Sequence, residues 1–180
     1  MAGSEQPTVR VWCENLAAMA VNDRRPLSAL AADSHVHGGL RLEFAGRLVP
    51  HLGYWGPDDV CFGQWLGELA QAAAAVGWPG GRHVFDEGEQ GQPAFVFERD
   101  GDRGFFSIAA SEFSGADGDP DWQRVEFSPA EFVAAVASLR ASFASELRAA
   151  SPALAEAWPA RFAAEPKHAE PGAAADGGGT

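Results

Sequence analysis

The sequence predicts an α+β fold: an antiparallel β-sheet arranged as a meander, packed against two main α-helices, with a short helix near the C-terminus. Three observations carry this expectation. Apolar and polar residues alternate with period two in the first third of the chain. After Asp58, and again after Ser128, the apolar period changes to three and four, the spacing of one helix face. Between 82 and 127, four short runs rich in Val, Ile and Phe are separated by Gly, Asp and Pro, as strands joined by turns are. With 180 residues, 46% of them hydrophobic, and six tryptophans, the chain can bury a core without disulfides or a structural metal. One domain is expected over residues 8–163, between a disordered start (1–7) and a disordered Gly/Ala/Pro-rich tail (164–180).

In chain order, "VRVWCEN" sets Val9, Val11 and Cys13 on one face and Arg10, Trp12 and Glu14 on the other, a first strand. "LRLEFAGRLV" repeats the pattern with Leu40, Leu42 and Phe44 inward, and "DSHVHGG" before it supplies the other arm of a hairpin turning at Gly38 and Gly39. The first helix runs from a cap at Asp58 or Asp59 to Gly77 and Pro79, with Phe62, Trp65, Leu66, Leu69, Ala73 and Val76 on its apolar face. Gly63 and Gly67 inside it each cost about 1 kcal/mol relative to alanine, which close packing on the sheet would explain. The meander follows as "RHVFDE", "PAFVFER", "GFFSIAAS" and "WQRVEF", with the Asp-Gly of "RDGD" as a tight turn and "DEGEQGQ" as a longer connection. "SPAEF" at 128–132 is a capping box: Ser128 caps, Pro129 takes the first helical position and Glu131 stands three after the cap. Phe132, Val136, Leu139, Phe143 and Leu147 form the stripe of that helix, and Ser151 and Pro152 restart a shorter one bearing Leu154, Trp158 and Phe162.

Against 25 acidic residues the chain has 13 basic ones, a net charge of −12. That balance points to a basic protein partner and away from nucleic acid and anionic membrane, whose neutralisation needs Lys and Arg. Cys13 and Cys61 are the only cysteines and show no CxxC or Cys/His spacing, so neither a disulfide framework nor a structural zinc is expected. "MAGSEQPTVR" lacks the apolar region of a signal peptide, and "AAAAV" is too short to cross a bilayer; a cytoplasmic protein is expected. Phosphate-binding glycine patterns are missing and no cofactor is expected.

Of the six acidic residues of 85–108, five gather at predicted connections, Asp86, Glu87 and Glu89 in one and Asp100 and Asp102 at another, leaving Glu98 in a strand. "DGDPD" alternates Asp117, Asp119 and Asp121 as calcium loops do, but Trp122 stands where the loop needs Gly and Ser128 where it needs Glu, so this is a solvated loop. His35 and His37 lie about 7 Å apart on one strand face, within reach of a metal if Asp33 joined them, yet no third ligand motif follows. Cys61 begins a helix, where a thiol's pKa can fall, and is read as a small apolar residue there. "HLGYWGPDD" mixes aromatics, turn residues and acids as recognition loops do. The partner-facing residues expected are therefore Tyr54, Trp55, Asp86, Glu87, Glu89, Asp117, Asp119 and Asp121, with no catalytic or metal-ligating residue assigned. The alternative is a small enzyme or metal-binding protein whose site is assembled from dispersed His, Asp and Glu, with His35 and His37 the first suspects.

The succession of an N-terminal β section, a Trp-bearing helix, "GQPAFVFERDGDRGFFSI", "DWQRVEF" and a long helix opening "SPAEFVAAV" resembles small actinobacterial α+β domains, some of them similar to immunity proteins of bacterial toxin systems. The resemblance covers roughly residues 8 to 150 and rests on structural motifs. It implies a non-enzymatic, acidic protein-binding module that docks stoichiometrically on a basic partner and covers its active site.

Overall fold

The computed structural model describes residues 8–20, 23–31, 34–50, 52–53, 56–88, 91–156 and 158. Tyr54, Trp55 and Glu89, and also Asp33, Phe162 and the two terminal segments, lie outside the described residues. The fold is α+β, with two antiparallel sheets and two main helices. The N-terminal sheet holds β1 (Val9–Ala20), β2 (Asp23–Pro26), β3 (His35–Phe44) and β4 (Arg47–Leu48) in the order β2-β1-β3-β4, and β5 (Val60–Cys61) also pairs with β3. Helix α1 (Phe62–Val76) leads into the second sheet, β6 (Arg82–Phe85), β7 (Ala94–Asp100), β8 (Arg103–Ala109) and β9 (Val125–Phe127), paired in chain order as a meander. Helices α2 (Pro129–Ala150) and α3 (Pro152–Ala155) follow.

Several sequence expectations need correction. Gly38 and Gly39 do not turn a hairpin; they lie inside β3, which runs unbroken from His35 to Phe44. Their partner is β1, whose register shifts between Glu14 and Ala17 with Asn15 at φ 54°. That bulge presses on β3: a Cβ on Gly38 would meet the Glu14 carbonyl at 2.8 Å, and one on Gly39 would meet Glu14 Cγ at 2.9 Å as well as Asp58 Oδ1 at 2.8 Å. The glycine pair thus records a close approach. Helix α1 starts at Phe62, with Cys61 rather than Asp58 or Asp59 at the cap position. Gly67 does not pack on the sheet, because a Cβ there would meet nothing within 4 Å.

At Ser128 the cap is as expected, its hydroxyl accepting from the Glu131 N–H at 3.3 Å. The reciprocal half of the box is diverted, since Glu131 Oε2 accepts from Thr8 N–H at 2.7 Å, Thr8 Oγ1 at 2.6 Å and Val9 N–H at 3.2 Å. Glu131 therefore latches the start of β1 to the start of α2.

One apolar core joins both sheets and both helices. Phe44 on β3 stacks against Phe106 on β8 with centroids 4.8 Å apart, and touches Phe127 of β9 and Phe132 of α2. Trp65 of α1 meets Phe85 and Phe95 of the second sheet, and Phe62 stacks on Phe143 of α2. Each such ring removed from water contributes about 1.5–3 kcal/mol, with roughly 0.5–1.5 kcal/mol more where rings pair well. The carbonyls of Val76 and Gly77 at the end of α1 accept from Arg99 of β7, fastening the helix to the meander with a cation placed where the helix dipole favours one. Among the described residues no helix is long and apolar enough to cross a membrane.

Candidate functional site

The turns of the second sheet gather acidic residues in two connections. The segments 86–93 and 110–121 together hold seven Asp or Glu and no Lys, Arg or His. Asp86 leaves β6 and ties the two connections together: its carboxylate accepts from Ser111 Oγ at 2.7 Å, from the Glu112 N–H at 2.9 Å and from the Gly88 N–H at 3.3 Å. Ser111 Oγ also accepts from the Phe113 and Ser114 N–H groups, closing a small turn, and Ser114 Oγ donates to the Gln92 carbonyl at 2.6 Å. Gln92 Nε2 in turn donates to the Gly53 carbonyl.

This stitching holds Phe113 out in solvent, 75% exposed, with Gly88 at φ 72° passing beneath its Cβ. A side chain on Gly88 would approach Phe113 Cβ to 3.3 Å, so the glycine lets the two connections lie together. Glu112, next to Phe113 in the chain, is exposed, and so is Asp117 four residues after Phe113. An apolar ring with an acidic margin on ordered backbone is the arrangement of an interface anchor with a polar rim.

The eight predicted contact residues divide. Asp86 is the internal tie just described, Glu87 is half-buried beside it, and Asp117 is exposed on the same connection. Asp119 serves the backbone: its side chain accepts from the Asp121 N–H at 2.9 Å and caps the short turn Pro120–Trp122. Asp121 is exposed, and its carbonyl accepts from Arg47, whose guanidinium lies 4.4 Å from the centroid of the Trp122 ring. Trp122 itself is buried against Phe106, closing one end of the core, whereas Trp78 is 74% exposed. Phe113 escaped the sequence reading. Its signal was a single large apolar residue among Ser, Glu and Gly in "SEFSG", a run without strand or helix period.

His35 and His37 do share a strand face, with ring centroids 6.4 Å apart. Among the described residues no group of three or more His, Cys, Asp or Glu has the geometry to hold a metal ion. An apolar recess of about 250 Å³ between α1, α2 and α3, lined by Leu66, Phe143, Leu147, Ala155 and Trp158, has Arg140 as its one charged lining residue among the described residues. No family model, no curated protein and no solved structure matches the chain.

Proposed function

We propose that this protein is a non-catalytic, cytoplasmic binding module of the immunity-protein kind, which docks its acidic loop surface on a basic protein and covers it stoichiometrically. The observation that carries the reading is Phe113, held exposed by hydrogen-bonded connections that contain acids and no basic residue. The net charge of −12 speeds encounter with a cationic partner and makes the encounter sensitive to salt, while the ring supplies the desolvated anchor that charge alone lacks. Two free thiols suit a reducing compartment.

The test is retention of a partner from source-cell lysate on immobilised protein at low and high salt, repeated with two surface variants. A basic protein recovered in near-equal amount, released by salt, and lost with Phe113→Ala or with Glu112→Lys combined with Asp117→Lys would support the proposal. Trp78→Ala, on a different exposed ring, should retain the partner. Retention unchanged by the Phe113 and charge-reversal variants would overturn it, provided their melting temperatures match the parent.

A further inference from the structure

His37 and Cys61 face each other across the N-terminal sheet. β5 pairs with β3 in a register that sets His37 opposite Cys61 and Gly38 opposite Val60. Asp59 stands two residues before Cys61 and therefore on the same side of that short strand. Its Oδ1 lies 2.8 Å from His37 Nδ1. With Nδ1 engaged by the carboxylate, Nε2 is the ring nitrogen left for the Cys61 thiol on the facing strand. His35, next on the same face of β3, places its Nδ1 4.0 Å from Cys61 Sγ.

Cys61 also occupies the cap position of α1, and no side chain caps that end. The backbone N–H groups of Gln64 and Gly63, at the start of α1, favour its ionised form. Burial works against ionisation, but the bond to His37, its charge and these two N–H groups outweigh it, and the thiol lies below its ordinary pKa. His37 moves up correspondingly: its bond to Cys61 acts against burial, and Asp59 adds to the effect. The other charged groups nearby are committed elsewhere. Arg24 donates to the Asp58 and Asn15 carbonyls, and Arg41 bridges Glu14 and Asp58.

We propose that Cys61 is a modification site, a nucleophile partnered by His37 and positioned through Asp59, that takes up low-molecular-weight disulfides as a mixed disulfide. The Cys61 sulfur attacks one sulfur of R–S–S–R′, the Sγ–S bond forms as the S–S bond breaks, and the departing thiolate R′S⁻ takes the proton held on His37. The disulfide is the oxidant: one of its sulfurs leaves as a thiol and the other stays on Cys61. Such an attack needs one accessible sulfur in line with Sγ rather than a cleft, and Cys61 and His37 are both partly exposed. Cys13 is not placed to resolve the adduct, because its sulfur sits against Glu146 Oε1 at 3.9 Å on α2. The adduct therefore persists until an external thiol removes it.

The experiment uses full-length Cys13→Ser protein with an aromatic disulfide whose released thiol absorbs light, and oxidised glutathione as a second probe. Rates are followed from about pH 5 to pH 10 and adducts weighed by intact mass. The expected midpoint of the rate profile lies below that of an ordinary thiol, about 8.5. His37→Asn should slow the reaction about tenfold or more at pH 6.5 and move the midpoint upward; Asp59→Asn should move it the same way by less. Adding Cys61→Ser should abolish the adduct. A midpoint at or above the ordinary value, or an unchanged profile in both His37→Asn and Asp59→Asn, would overturn the proposal. Circular dichroism checks each fold, and if His37→Asn unfolds, the Asp59→Asn profile decides alone.

Discussion

Cys13 and Cys61 are both half-buried thiols on strands of one sheet, and their surroundings drive them in opposite directions. At Cys13, burial is reinforced by the negative charge of Glu146, and the thiol is pushed up to about 11. At Cys61 the same loss of water is outweighed by an imidazole and by the first amides of α1. Burial alone therefore predicts neither reactivity nor inertness. What decides is the element that arrives opposite: α2, which places Glu146 133 residues away in sequence, or β3, which brings a histidine held by a carboxylate.

The largest expected effect is the contrast itself. At pH 7 a thiol near 11 carries at least about a hundredfold less thiolate than one below 9, and the weaker nucleophilicity of the more acidic sulfur returns part of that difference. Peptide mapping after brief alkylation should show Cys61 labelled at least about tenfold faster than Cys13. Equal labelling would remove the distinction. Glu146→Gln should then speed Cys13 about threefold while leaving it the slower site, since burial, the larger cause, stays.

The inert half of the comparison depends on β1 staying docked against α2, which the Glu131 latch secures. Its carboxyl is held below the usual range, first by the Thr8 hydroxyl and then, against slight desolvation, by the Thr8 and Val9 N–H groups. A lowered carboxyl contributes stability that is complete above its ordinary pKa of about 4.3 and is lost as pH falls through the folded value. Glu131→Gln should cost about 1 kcal/mol at pH 7 in urea titrations, with the gap to wild type closing toward pH 3. Cys13 should label faster in that variant and the Cys61 rate profile should stay in place.

The smallest effect sharpens the other half. Because a methyl group at Gly67 meets nothing within 4 Å, Gly67→Ala should stabilise α1 by about 0.5–1 kcal/mol. If the thiol of Cys61 answers to local groups rather than to how firmly the helix is formed, neither labelling rate will change. A rise in the Cys61 rate would tie activation to helix stability.

What the sequence disclosed was local. The meander, the Asp-Gly turn, the Ser128 cap and the stripe of α2 each rest on residues a few positions apart. Non-local features were misread or missed. Gly38 and Gly39 look like a turn unless the bulge at Asn15 is known to lie against them. The Cys61 cluster spans 24 residues between His37 and Cys61 and exists because β5 adds to β3. Alternate spacing in "HVH" and again in Asp59 and Cys61 was the available hint, two short strand-like patterns that each offered one face. Asp58 and Asp59 resembled helix caps because acids before an apolar periodic run often are; here they bind Arg41 and His37 instead.

The position of Phe44 has a consequence during synthesis. Its ring is covered by Phe106, Phe127 and Phe132, which leave the ribosome 62 to 88 residues later. At 5–20 residues per second, full cover for the apolar face of β3 arrives about 4 to 18 seconds after that strand is made. Through that interval the nascent chain presents Leu40, Leu42 and Phe44 with their partners still untranslated, a segment suited to chaperone capture or to pairing with a neighbouring chain. Ribosome-bound chains stopped before α2 should accordingly be cut by protease near β3, and chains carrying α2 in full should resist. Early resistance would mean that the elements made before α2 already shelter the strand.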